Sequence, residues 1–120
     1  QDKGAIRASF CTDPAIKNTP FNFISEAFAS ALAVVALGTF STIETGLGPF
    51  MVGILVWAIG LGLGGTTGYA INPARDLGPR IMHAILPIPN KGDSGWDYAW
   101  IPVLGPAAGA VLGAFILTLN

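Results

Sequence analysis

Three apolar stretches divide the chain: about Phe23 to Phe40, Pro49 to Gly65, and about Tyr98 to Leu119. Each approaches the ~20 residues that cross a hydrocarbon core, so each is expected to be a membrane-spanning helix. The first is interrupted only by Glu26 and Ser30. A fourth stretch, Asn72 to Leu86, is too short to span and carries Arg75, Asp76, Arg80 and His83. Such a segment is re-entrant or interfacial, and Pro87-Ile88-Pro89 stops it. The run leading into it, Gly64 to Ile71, is rich in glycine and threonine and reads as poorly helical. At membrane depth, irregular backbone survives only where it is buried in protein or lines a wet cavity. The expected plan is all-α: helix, helix, half-helix, helix. Residues 1–22 are polar, read as a loop with no cleavable signal peptide, and suggest a piece of a longer protein.

Ser41 to Gly48 connects the first two spans, and Pro87 to Asp97 is a polar loop before the last. Trp96, Tyr98 and Trp100 mark an aromatic belt at one interface, or else pack within the loop. Gly105, Gly109 and Gly113 recur every fourth residue, as do Ala27/Ala31 and Ala29/Ala33. Rows of this kind let helix backbones approach closely where no hydrophobic force drives them together. Gly60, Gly62, Gly64 and Gly65 either do the same or leave room for a pore.

Composition sharpens this picture. Charged residues make up 11% of the chain and the apolar set 52%, with a mean hydropathy of +0.60. That balance points to membrane and away from an ordinary soluble domain. A net charge of −1 offers no basic field for nucleic acid. Cys11 is the only cysteine, so the chain forms no internal disulfide, and no ligand set for a metal or other cofactor is visible. Lys3, Arg7, Lys17 and Lys91 all fall in loops on the side where the half-helix enters.

The chemistry concentrates in Gly68-Tyr69-Ala70-Ile71-Asn72-Pro73-Ala74-Arg75-Asp76. Asn72 can cap a helix, and Pro73 sits where a first-turn proline is tolerated. A helix starting at bilayer depth aims its free N–H groups and positive dipole end at whatever occupies the path. An arginine there is costly, which marks a solute or ion path rather than a strut between helices. Glu26 is open to two readings: a proton relay, or an acceptor for otherwise orphaned backbone donors; a lone carboxylate makes a poor relay. His83 reads as a loop or helix-face residue, and Trp57 as a lipid or subunit contact.

These residues carry a resemblance to the aquaglyceroporins, glycerol facilitators of the major intrinsic protein (aquaporin) family. Asn72-Pro73-Ala74-Arg75 resembles the family's second signature loop. Asp76 with Arg80 resembles the acid–base pair of the glycerol branch, and Pro102-Val103 its proline–aliphatic pair. Glu26 with Ser30 resembles the Glu-x-x-x-Thr/Ser of the fourth helix, and Phe10-Cys11-Thr12-Asp13-Pro14 the external loop before it.

The resemblance implies an aquaporin-like half, the C-terminal of two inverted repeats over residues 1–120. It would have an external loop (1–22), three transmembrane helices (23–40, 49–65, 98–119) and a re-entrant half-helix (72–86). The N-terminal half would supply a second half-helix meeting the first at mid-membrane. By the same resemblance, Gly60, Tyr69 and Arg75 form a selectivity filter. Gly68, Ala70, Ile71, Asn72, Pro73 and Ala74 line the pore, and Glu26, Asp76 and Arg80 support it. Tyr69 departs from the phenylalanine common in glycerol facilitators. The implied activity is passive diffusion of glycerol, water and other small uncharged solutes, with ions and protons excluded, by a homotetramer in the plasma membrane. A water-selective pore and a secondary transporter with a broken-helix site are the alternatives. An enzyme is disfavoured, because no activated Ser, Cys or His constellation is present.

Overall fold

A computed structural model describes residues 2–43 and 46–119. Among the described residues the architecture is wholly helical: α1 (Lys3–Ala8), α2 (Thr19–Phe40), α3 (Gly48–Thr67), α4 (Pro73–Ile85) and α5 (Ile101–Leu117). α2 and α3 are each long and apolar enough to cross a membrane; α5 is apolar but shorter.

The boundaries differ from the expected ones for local reasons. The segment read as loop, 1–22, contains α1, whose first turn is capped by Asp2 Oδ1 accepting from the Gly4 N–H at 3.0 Å. α2 starts at Thr19, not residue 23, because Asn18 accepts from the Phe21 N–H and Pro20 fits the first turn. α3 continues to Thr67, so Gly64 to Thr67 is helical despite its composition. It ends where Gly68 takes a left-handed φ of 77°. Between α3 and α4 only residues 68–72 are irregular. α5 begins at Ile101, with Pro102 in its first turn, while Tyr98 to Trp100 form turns ahead of it.

α2 and α5 run side by side in the same direction, and the expected glycine row lies in their interface. A Cβ on Gly105 would stand 2.8 Å from the Glu26 Cβ. One on Gly109 would stand 2.8 Å from the Ala27 carbonyl carbon, and one on Gly113 2.8 Å from the Ala31 oxygen. Such contacts require backbone against backbone. α3 rests on α2, and α4 on α5.

Burial is inverted relative to a water-soluble protein. On α4, Asp76, Arg80 and His83 are fully buried, whereas Leu77, Ile81, Met82 and Ile85 are exposed. On α2, Asn22, Glu26 and Ser30 are buried while Phe21, Ile24, Phe28 and Leu32 face outward. Contiguous exposed apolar faces around a polar interior suit an apolar surrounding.

Candidate functional site

The site is the irregular segment 68–72 together with the start of α4. Three chain positions in it are unusual: Gly68 at φ 77°, Tyr69 at 42° and Ile71 at 44°. The last two are left-handed without being glycine, a conformation costing on the order of 1–3 kcal/mol each unless surroundings enforce it. Glu26 supplies that enforcement. Its Oε1 accepts from Thr67 Oγ1 at 2.6 Å and from the Ala70 N–H at 2.9 Å, and its Oε2 accepts from the Ile71 N–H at 2.8 Å. Asn22 adds a bond from Nδ2 to the Thr66 carbonyl at 3.3 Å.

With the Ala70 and Ile71 N–H groups drawn to α2, most of the segment's carbonyls are left over. Among the described residues, those of Tyr69, Ala70 and Ile71 accept no hydrogen bond, while Gly68's accepts from Arg75 Nη1 at 3.3 Å. Asn72 then caps α4 as its chemistry demands: Oδ1 accepts from the Ala74 N–H at 2.9 Å, and the residue is extended (φ −151°, ψ 121°). Its Nδ2 carries no bond among the described residues, and the side chain is exposed. Pro73 is half-buried and Ala74 exposed in the first turn.

Gly60, Tyr69 and Arg75 come together. A Cβ on Gly60 would sit 3.2 Å from Tyr69 Cζ, and the Arg75 guanidinium carbon lies 4.5 Å from the Tyr69 ring centroid. That stacking is a cation–π contact. Arg75 is exposed and, among the described residues, has no carboxylate within ion-pair distance. It lines an open cavity of about 220 Å³ with Ser9, Phe10, Thr12 and Pro79.

Asp76 and Arg80 form a fully buried, two-pronged pair, with Nε to Oδ2 and Nη2 to Oδ1 both at 2.7 Å. The remaining capacity is filled from both flanking loops. Thr12 donates to Asp76 Oδ1 through its N–H at 2.7 Å and its Oγ1 at 2.6 Å. Arg80 donates to the carbonyls of Thr12, Ser94 and Gly95 at 2.8, 2.6 and 3.0 Å. Residues 12 and 94–95 are thus stitched to α4. Lys91 closes the other end of α4, donating to the Ala84 and Leu86 carbonyls, each at 2.6 Å.

The other positions agree with expectation only in part. Of the two readings of His83, loop or helix face, it takes the helix face, but an inward one: it is fully buried on α4, with Nδ1 2.8 Å from Ser94 Oγ and its ring edge-on to Phe10. Tyr98 is buried, so only Trp96 and Trp100 of the three aromatics face outward. Trp57 is exposed. Pro102 is buried at the head of α5, with Val103 half-buried beside it. Thr67 and Ser94 were not singled out beforehand, and Thr12 only as part of the external-loop motif, because their partners lie far along the chain.

The family profile described as Major intrinsic protein matches residues 14–117. A Glycerol uptake facilitator protein of Streptococcus pneumoniae serotype 4 is 57% identical over 99% of this chain and 52% of its own length. Glycerol uptake facilitator protein 3 of Lactiplantibacillus plantarum is 54% identical over 99% of this chain and 50% of its own. The same organism's D/L-lactic acid transporter is 52% identical over 93% and 48%, respectively. The chain therefore spans about half the length of the curated relatives it matches. A match across most of the chain, on top of a capped half-helix within an inside-out helical bundle, settles the family: the chain belongs to the major intrinsic protein family of integral membrane proteins.

Proposed function

We propose that the complete protein is a passive channel of the plasma membrane, conducting glycerol, water and other small uncharged solutes and excluding ions and protons. The observation that carries this is the segment 68–72. The Ala70 and Ile71 N–H groups are bound to Glu26, the carbonyls of Tyr69, Ala70 and Ile71 accept no hydrogen bond among the described residues, and the segment runs into a helix start marked by Asn72 and by Arg75, which has no carboxylate partner among them. The names of the relatives, glycerol uptake facilitators, agree with it.

In this channel the carbonyls of Gly68, Tyr69, Ala70 and Ile71 form a row of acceptors for hydroxyl groups, and Asn72 Nδ2 donates at its inner end. A polyol exchanges water for these groups at small cost, whereas an ion loses hydration that the wall does not replace. Pro73 and Ala74 complete the wall. Arg75, Tyr69 and Gly60 form the filter: the guanidinium donates to the solute and repels cations, and the ring offers an apolar face to CH groups. Asp76, Arg80 and Glu26 hold the frame. The opposite wall comes from an N-terminal repeat of inverted topology, and the assembly is a homotetramer.

The test is flux in proteoliposomes made with the complete protein. Fast, non-saturating glycerol and water movement down a gradient, without proton or cation leak, supports the channel. Saturating uptake or proton-driven accumulation overturns it in favour of a secondary transporter. Water flux without glycerol flux overturns the glycerol assignment.

A further inference from the structure

Tyr69 stands on a seat made by two glycines, of which only Gly60 was expected to bear on the filter. A Cβ on Gly64, one helical turn further along α3, would lie 2.8 Å from Tyr69 Cδ1 and 3.3 Å from Cε1. The corresponding approach at Gly60 is 3.2 Å, and it falls on Cζ at the tip of the ring. A real Cβ essentially never comes within about 3.0 Å of such a neighbouring atom, so an alanine at 64 forces something to move.

What can move is limited. Cδ1 is at the root of a rigid ring that turns only about two side-chain torsions. The Tyr69 backbone is in the left-handed region, and the residues on its C-terminal side are fastened to Glu26 through the Ala70 and Ile71 N–H groups. A push at the root is therefore taken up by tilting the ring, and the tilt grows toward the hydroxyl. Arg75 lies over that ring with its guanidinium carbon 4.5 Å from the centroid, so it is displaced too.

We propose that Gly64 is a positioning residue for solute size: its missing side chain fixes where Tyr69, and through it Arg75, stands in the filter. This rests on the channel proposed above. Gly64 touches no solute; it acts through Tyr69. Gly60, by contrast, leaves space beside the ring tip.

The experiment measures glycerol and water permeability of the complete protein in proteoliposomes for the parent, Gly64→Ala, Tyr69→Ala and the double variant. In a pocket fitted to its solute, one added methyl group changes discrimination by roughly tenfold or more. Gly64→Ala is expected to lower the glycerol-to-water ratio by that order, and the same substitution in the Tyr69→Ala background is expected to leave the ratio unchanged. A conducting parent whose ratio is untouched by Gly64→Ala, or in which the substitution acts equally with and without the Tyr69 ring, overturns the assignment while leaving the channel intact. A parent passing neither solute overturns the channel, and this inference with it. Should Gly64→Ala fail to fold, recovery of folded protein in the Tyr69→Ala background supports the seat, and failure in both backgrounds refutes it.

Discussion

Replacing Glu26 by leucine should destabilise the protein far more than its single carboxylate suggests. The side chain is fully buried, and it is the acceptor for three donors. Two of those, on Thr67 and Ala70, are themselves 2% and 0% exposed, so water does not replace the lost partner. Each buried orphan costs about 1–3 kcal/mol, and the half-buried Ile71 N–H rather less, which gives about 3–7 kcal/mol in all. Against a total domain stability of about 5–15 kcal/mol this is a large fraction. Glu26→Gln is the milder perturbation. Its one amide oxygen can still serve Thr67 and Ala70, but its NH2 group then faces the Ile71 N–H, so about one bond worth ~1 kcal/mol is lost. Thermal unfolding of the complete protein in detergent, followed by glycerol flux in proteoliposomes, reads both effects. The expected order is parent, then Gln with substantial flux retained, then Leu with little folded protein. A leucine variant as stable and as conductive as the parent would refute the claim that Glu26 holds the segment.

Other perturbations have equally definite outcomes. Gly109→Leu drives a side chain into the Ala27 backbone, and separating α2 from α5 should cost at least the ~1–3 kcal/mol of an overpacked core, seen as a lower unfolding temperature. Gly60→His fills the space beside the Tyr69 ring and should block glycerol while sparing water; unchanged glycerol flux would remove Gly60 from the filter. Arg75→Val removes both the charge and the bulk, so proteoliposomes should leak cations or protons, and identical permeabilities would show that Arg75 is not at the constriction. Burial pushes the Cys11 thiol above its ordinary range, and the reactive species is the thiolate. Maleimide should therefore label Cys11 slowly at neutral pH in the folded protein and rapidly after denaturation.

The legible parts of the fold were those set by local chemistry or by a period. Asn72 caps a helix through a bond to a residue two places on, and the glycine row of α5 repeats every fourth position, so both are visible in one sequence. Gly64 to Thr67 misled because glycine lowers helix propensity, while the helix in fact continues until Gly68 supplies a left-handed stop. α1 has only six residues and no period to reveal it; it rests on the Asp2 cap, with Arg7 paired to Asp13 beyond its end. Thr12, which bonds both members of the Asp76–Arg80 pair, lies 64 and 68 residues away from them, and the burial of His83 and Tyr98 follows from loops closing over α4 and α5. No spacing rule encodes pairings of that kind. Gly60, Tyr69 and Arg75 were named together through family resemblance, and their mutual contact became apparent only in three dimensions.

The two arginines of α4 divide its electrostatics in a way that bears on pH. Arg80 is neutralised by Asp76 inside the fold, whereas Arg75 faces the open cavity with no carboxylate partner among the described residues. That guanidinium is a charge the solute must pass, and it favours neutral molecules. Glycerol has no ionisable group, so in the proposed channel any pH slope seen with a weak organic acid would belong to the solute. Only the acid's protonated fraction would pass as a neutral molecule, so acidity outside the cell would meter the substrate and leave the pore unchanged.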